Sequence, residues 1–262
     1  MKKIAVGLCF VVFMLVSFKA EMEYQRGDVD QNGRVDIADV SCLIGYLLSG
    51  DWNDEVIPPD EEHEWVDLGL PSGTLWATCN IGANSPEEYG DYFAWGEITP
   101  KGSYGWTNYK WCNGAKNKIT KYCTNRTYGT VDNLRELELE DDAAYMNWGP
   151  SWRMPTYTQL MELKNNCSST WTTMNGIKGR LFTGPNGNKI FFPAAGKKPD
   201  SSPSTVGVYG WCWSRDVCCS TYDALSYEAW CMGWLNDSKP VRGLTNERYL
   251  GWSVRAVRAT EE

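Results

Sequence analysis

Between Asp28 and Asp39, oxygen-bearing residues recur at a spacing that wraps the backbone around a single point. Asp28, Asp30, Asn32, Asp36 and Asp39 stand at loop positions 1, 3, 5, 9 and 12. Arg34 at position 7 offers its carbonyl oxygen, and Gly33 stands where the chain must turn sharply. A hard divalent cation takes about six to eight oxygens at about 2.3–2.6 Å, and a loop of this pattern supplies them. A Ca2+ site built by Asp28, Asp30, Asn32, Arg34, Asp36 and Asp39 is therefore expected. Val40, Leu43, Ile44 and Leu47 follow at the i, i+3, i+4, i+7 spacing of one helix face, so the loop should lead into a short amphipathic helix.

Charge is segregated in the same way. Residues 21–64 hold thirteen acids against two arginines, a net of −11, whereas residues 65–262 hold twenty of each sign. The acidity belongs to the segment with the cation loop. The neutral remainder carries no basic stripe, which argues against nucleic acid as a partner. At the N-terminus, Lys2 and Lys3 precede an apolar run from Ile4 to Phe18. That is the layout of a secretory signal peptide, and the run falls short of the roughly 20 residues a membrane span needs. Cleavage is expected after Ala20, with Ser17 as the rival position. The mature chain would then be secreted or held at the cell surface, not integral to a membrane. The expected organisation is a signal peptide over 1–20, a calcium segment over 21–50, an acidic linker over 51–64 containing Pro58 and Pro59, and a large domain over 65–262.

The chain has ten cysteines, and export brings possible disulfides, although eight cysteines in the large domain allow too many connectivities to choose one. No pair has zinc-site spacing. The single histidine, His63, falls in the linker with no folded context expected around it. Ser–His–Asp, Cys–His and multi-histidine zinc chemistry therefore lack a placed imidazole, while two-carboxylate glycoside chemistry does not need one. Fourteen tryptophans and fourteen tyrosines are expected to serve mainly as core, with a minority free for sugar stacking.

Two helices are expected in the large domain, one over Asp141–Trp148 and one opened by Thr156 with Gln159 completing a capping box, buried through Leu160 and Leu163 and ending near Asn165-Asn166. Strands are expected over Trp65–Leu68, Leu75–Cys79, Arg180–Thr183, Lys189–Pro193, Tyr209–Ser214, Ala229–Trp234 and Trp252–Arg258, with a hairpin turn at Gly184–Gly187. Such a mixture reads as α+β with a sizeable antiparallel sheet content.

Four strings then appear in order: Trp65–Ala77 (WVDLGLPSGTLWA), Tyr89–Glu97 (YGDYFAWGE), Trp152–Thr156 (WRMPT) and Gly251–Arg258 (GWSVRAVR). Together they resemble the Fibrobacter succinogenes major paralogous domain. The resemblance implies a C-type-lectin-like, formylglycine-generating-enzyme-like mixed domain exposed on a bacterial surface. Arg255 and Arg258 in the last string are expected to hold carboxylates, and Trp152-Arg153 to act as a packing and ion-pair anchor. The loop at Asp28–Asp39, preceded by Gly27, resembles a type I dockerin repeat, and that resemblance implies a cohesin-like partner. Dockerins carry two such repeats and this chain has one, with apolar Ile37 and Ala38 at the positions that help read cohesin.

The function expected from these features is exported, non-enzymatic binding or adhesion, with a surface glycan or a cohesin-like module as partner. The alternative is a glycan-active enzyme, or an accessory protein of polysaccharide breakdown, in which Asp91 and Glu97 are the first carboxylates to inspect. A lectin of the calcium-bridged type is not expected, because Trp234-Leu235-Asn236-Asp237 only approximates the Trp-Asn-Asp triplet of such lectins. Clustered carboxylates repel one another without a cation. Calorimetric titration with calcium should therefore give a binding heat in the wild type that disappears when Asp28→Ala and Asp39→Ala are combined. Equal heats would remove the site.

Overall fold

Short runs of β-branched and aromatic residues, punctuated by glycines, pair here into antiparallel sheets with few helices. The computed structural model describes residues 63–218, 225–235 and 241–258, all within a unit spanning 57–262. The expected calcium loop, Asp28–Asp39, lies outside the described residues, as do Asn236 and Asp237. The strands are β1 (Trp65–Asp67), β2 (Leu75–Ala77), β3 (Ser168–Met174), β4 (Ile177–Thr183), β5 (Lys189–Pro193), β6 (Tyr209–Val217), β7 (Glu228–Leu235), β8 (Arg242–Glu247) and β9 (Val257–Arg258). They form three sheets, β1-β2-β9, β3-β4-β5 and β6-β7-β8, with antiparallel pairing throughout. Among the described residues no helix is long and apolar enough to cross a membrane.

The helices start where side chains satisfy their free N–H groups. Helix α1 (Ala143–Trp148) begins two residues later than expected. Asp142 is its cap, accepting from the N–H groups of Ala144 and Tyr145, and the preceding Leu139–Asp141 forms a separate 3-10 turn. The fully buried Asp142 carboxylate also takes the Met154 N–H and the Arg153 Nε, the latter at 2.8 Å. A buried charge is tolerable only with such partners, and these bonds tie the Trp152–Thr156 string to α1. Helix α2 (Tyr157–Asn166) opens with the expected capping box: Gln159 N donates to Thr156 Oγ1 at 3.0 Å and Thr156 N donates to Gln159 Oε1 at 2.8 Å. Leu160 and Leu163 are fully buried beneath it.

Two strands were not legible as such. β3 ends at Asn175 and Gly176, whose φ angles of 47° and 84° make the two-residue turn into β4; the Asn-Gly pair is a strong hairpin signal. β8 reads as polar and pairs because β7 presents an open edge to it, and its Gly243 leaves room for the Tyr157 hydroxyl, which a Cβ would meet at 2.3 Å. Between β6 and β7, glycine faces tryptophan in both directions. Gly210 pairs with Trp234, and Trp211 with Gly233, so each indole lies over a position that has no side chain.

The closing string departs from the expected single strand. Only Val257–Arg258 forms a strand, at the edge of the first sheet, while the residues before it make isolated contacts in several directions. Trp252 bridges Phe93, Ser253 bridges Cys212, and Val257 bridges Arg153. The Val254 and Ala256 carbonyls accept from the Ile81 and Ala77 N–H groups, each at 3.0 Å. All four motif strings therefore meet along this segment. Both of its faces are buried, including Ser253 and Arg255, so its alternation does not separate a core side from a solvent side. Trp252 stacks on Trp213 at 4.1 Å and on Trp211 at 5.0 Å, inside a cluster with Trp95, Trp148 and Trp152. A second cluster, around Trp76, Phe182, Phe192 and Trp234, packs beneath α2. Each buried ring removes about 150–250 Å2 from water, about 4–6 kcal/mol as an upper bound.

Arg255 corrects another expectation. Instead of holding a carboxylate, it donates to the carbonyls of Ala77, Thr78 and Phe191 and to Asn80 Oδ1, at 2.9–3.1 Å. His63 is also better placed than its linker position suggested. Its ring stacks on Trp148 at 3.7 Å with planes 21° apart, and the Glu64 carbonyl accepts from Thr78 N at 3.0 Å. His63 and Glu64 therefore pack with the large domain, two residues ahead of Trp65. A fragment 63–262 should melt cooperatively, and the fragment 65–262, which loses the stack, should melt about 2–4 °C lower, matching about 1 kcal/mol for an aromatic pair. Identical melting temperatures in scanning calorimetry would show that the stack contributes nothing.

Candidate functional site

Arg248 organises the surface where function is best sought. It is fully buried, and its guanidinium donates to the Tyr109 hydroxyl and to the carbonyls of Tyr122, Ser226 and Lys121, at 2.7–3.2 Å. The ring of Trp95 lies 4.6 Å from its central carbon. A planar fork of five N–H donors suits convergent carbonyls, and here it draws three separate chain segments together. Because residue 248 points inward, its neighbours Glu247 and Tyr249 stay partly exposed. The Arg248 N–H also donates to the Tyr227 carbonyl at 3.0 Å, which fixes Tyr227 beside them.

The result is a partly exposed aromatic surface. Trp106 lies 4.9 Å from Tyr249 and 6.4 Å from Tyr227, and Tyr227 lies 4.9 Å from Tyr128, all edge to face. The rings rest on a buried layer of Tyr104, Tyr109, Cys112, Ile119 and Cys123. Glu228 and Glu247 stand directly opposite each other on β7 and β8. The Thr245 hydroxyl donates to Glu228, and burial together with the nearby Glu247 carboxylate pushes the Tyr249 pKa up. Lys116 holds its ammonium 5.2 Å from the Tyr227 ring centre. Sequence reasoning counted these aromatics without placing them, because they come from four separate stretches of chain and only the fold brings them together.

The carboxylates singled out in advance are differently placed. Glu97 is buried, bonded to Lys101 at 2.7 Å and to the Lys110 N–H at 2.8 Å. It serves as an anchor for the 97–110 loop. Asp91 is half-buried over Gly82, where a Cβ would meet its Oδ2 at 2.5 Å. A separate acidic trio, Glu138, Glu140 and Asp141, has its ligand oxygens within 4.8 Å of one another, but Lys121 already places its ammonium 2.5, 2.9 and 2.8 Å from the three. An internal cation thus compensates the trio.

Six cysteines among the described residues form no disulfide, whereas Cys42 and Cys219 lie outside the described residues. Cys79, Cys112, Cys123, Cys167, Cys212 and Cys231 are free thiols, and all but Cys167 are buried. Cys212 and Cys231 sit in different core clusters and bond to different carbonyls, of Trp213 and Leu244. Burial pushes the Cys212 thiol up to about 11 and raises Cys231 well above the usual thiol value. Such thiols stay neutral and unreactive at physiological pH.

Comparison with protein-family models, with characterised proteins and with solved structures finds no match to this chain.

The thiols give the fold a pH dependence with a definite sign. A folded-state pKa above the unfolded value means that the native state holds its proton longer. The stabilisation is therefore complete below about pH 9 and is lost as pH rises toward about 11. Urea unfolding should show about 2–3 kcal/mol lost between these limits on account of Cys212, and the slope should be shallower in Cys212→Ala. An unchanged slope in that variant would place the thiol in a solvated environment.

Proposed function

We propose that this chain is an exported binding protein whose large domain recognises glycans by ring stacking, with the dockerin-like loop as a calcium-ordered attachment segment for a cohesin-like partner. The observation that carries this reading is the cluster of four partly exposed rings, Trp106, Tyr128, Tyr227 and Tyr249, set on a buried base and held by Arg248. Sugar rings present C–H faces that pack on such surfaces, and aromatic side chains supply large contact area at low entropic cost. The C-type-lectin-like fold of the major paralogous domain is the architecture we assign. Its support is the meeting of all four motif strings at the closing segment and the mixture of small antiparallel sheets with two helices.

Catalysis by Asp91 and Glu97 is the weaker reading, because Glu97 is already engaged by Lys101 and a backbone N–H. A metal-bridged sugar site is weaker still. In that chemistry sugar hydroxyls complete the calcium shell, whereas stacking needs no metal. The test is a glycan panel probed with the full chain, with and without EDTA. Binding should survive the chelator and fall about tenfold or more in Trp106→Ala, which removes a ring worth roughly 1–3 kcal/mol. A hit abolished by EDTA and restored by calcium would overturn this reading.

A further inference from the structure

The pairing of Glu228 with Glu247 has a cost that an unliganded surface does not explain. Like charges directly opposite on antiparallel strands destabilise the pair. Among the described residues neither carboxylate forms an ion pair. The adjoining residues 219–224 (CSTYDA) contain no lysine or arginine. The Thr245 hydroxyl, a neutral group, donates to Glu228, and the Tyr249 hydroxyl, also neutral, lies beside Glu247. An ionised carboxylate has about four lone-pair sites, so both retain unused acceptor capacity.

This pair lies within the aromatic surface. Tyr227 directly precedes Glu228 in the chain and feels both carboxylates, and Tyr249, two residues after Glu247 and beside it, packs on Trp106. The same surface already accepts a cation over a ring face, the Lys116 ammonium above Tyr227. An ammonium held against an aromatic face with carboxylates beside it gains from the ring quadrupole and from charge-assisted hydrogen bonds. Neutral sugars would use the rings and leave the carboxylates' repulsion in place.

Resting on the stacking reading above, we infer that the ligand is a glycan bearing free amino groups, a glucosamine-type polymer. Its pyranose rings pack on Trp106 and the neighbouring tyrosines, and a protonated amine lies between Glu228 and Glu247.

The experiment compares two probes by calorimetry in slightly acidic buffer: the glucosamine hexamer and the N-acetylglucosamine hexamer, which differ in the amine charge. The proteins are the full chain, Trp106→Ala, and the Glu228→Gln/Glu247→Gln double variant. The acidic segment over 21–64 attracts any polycation, so the decisive comparison is with the double variant and not with charge alone. Wild type should bind the deacetylated hexamer about tenfold more tightly or better. The double variant should lose that advantage and keep its affinity for the acetylated hexamer, and Trp106→Ala should weaken both. Because the substitution removes repulsion, the double variant should melt at or above the wild-type temperature, which confirms that it folds. Equal wild-type affinities for the two probes, still sensitive to Trp106, would overturn the amine inference and leave the stacking reading standing. An advantage that persists in the double variant would overturn the assignment to Glu228 and Glu247. No binding of either hexamer would overturn the inference together with the stacking surface for this sugar class.

Discussion

Two guanidinium groups, Arg248 and Arg255, are wholly buried, and among the described residues neither makes an ion pair. Each directs its donors to backbone carbonyls and neutral side chains, most of them outside the strands: Lys121, Tyr122, Ser226 and Tyr109 for the first, and Thr78, Asn80 and the strand residues Ala77 and Phe191 for the second. A domain assembled from three small sheets leaves many carbonyls outside any ladder, and buried carbonyls need partners. Arginine answers that need at one point with several bonds. Burial lowers the Arg255 pKa to about 10, which still leaves it charged at neutral pH. Aromatic faces complete the setting, with Trp95 against Arg248 and Phe192 against Arg255.

The same economy connects fold to surface. Arg248 is drawn inward by the carbonyls, so the residues on either side of it are turned toward solvent, and the segments it gathers bring Tyr227 and the 104–112 loop alongside. Beneath them, Tyr109 gives its hydroxyl to the Trp95 carbonyl at 2.7 Å while accepting from Arg248. A binding surface so supported is ordered before any ligand arrives, and that reduces the entropic cost of association. Loops of ordinary composition would need to be ordered by the ligand itself.

Much of the regular structure was legible in the sequence. The capping box at Thr156 and Gln159, the strand Lys189–Pro193 and the turn at Gly184–Gly187 follow from local chemistry, and local chemistry decides them. Where the structure departs, tertiary context prevails. Arg242–Glu247 becomes a strand because β7 needs a partner, and the closing string is buried on both faces because four other segments converge on it. His63 is placed against Trp148 and Trp152, ring contacts that no local sequence rule names. The candidate site was the least legible part. Its rings come from residues 106, 128, 227 and 249, and no spacing rule links positions that far apart; the one sequence signal was the unusual number of tryptophans and tyrosines.

The account turns on the geometry of the Arg248 fork, beyond its charge alone. Replacing Arg248 with lysine keeps the charge and removes the planar array of donors, and replacing it with methionine removes both. Urea unfolding of the two variants beside wild type is the most direct test. Because each leaves buried acceptors without partners, both should lose about 3–5 kcal/mol. A lysine variant as stable as wild type, with only the methionine variant impaired, would show that charge and not the multiple carbonyl bonds holds these segments together, and would contradict the account.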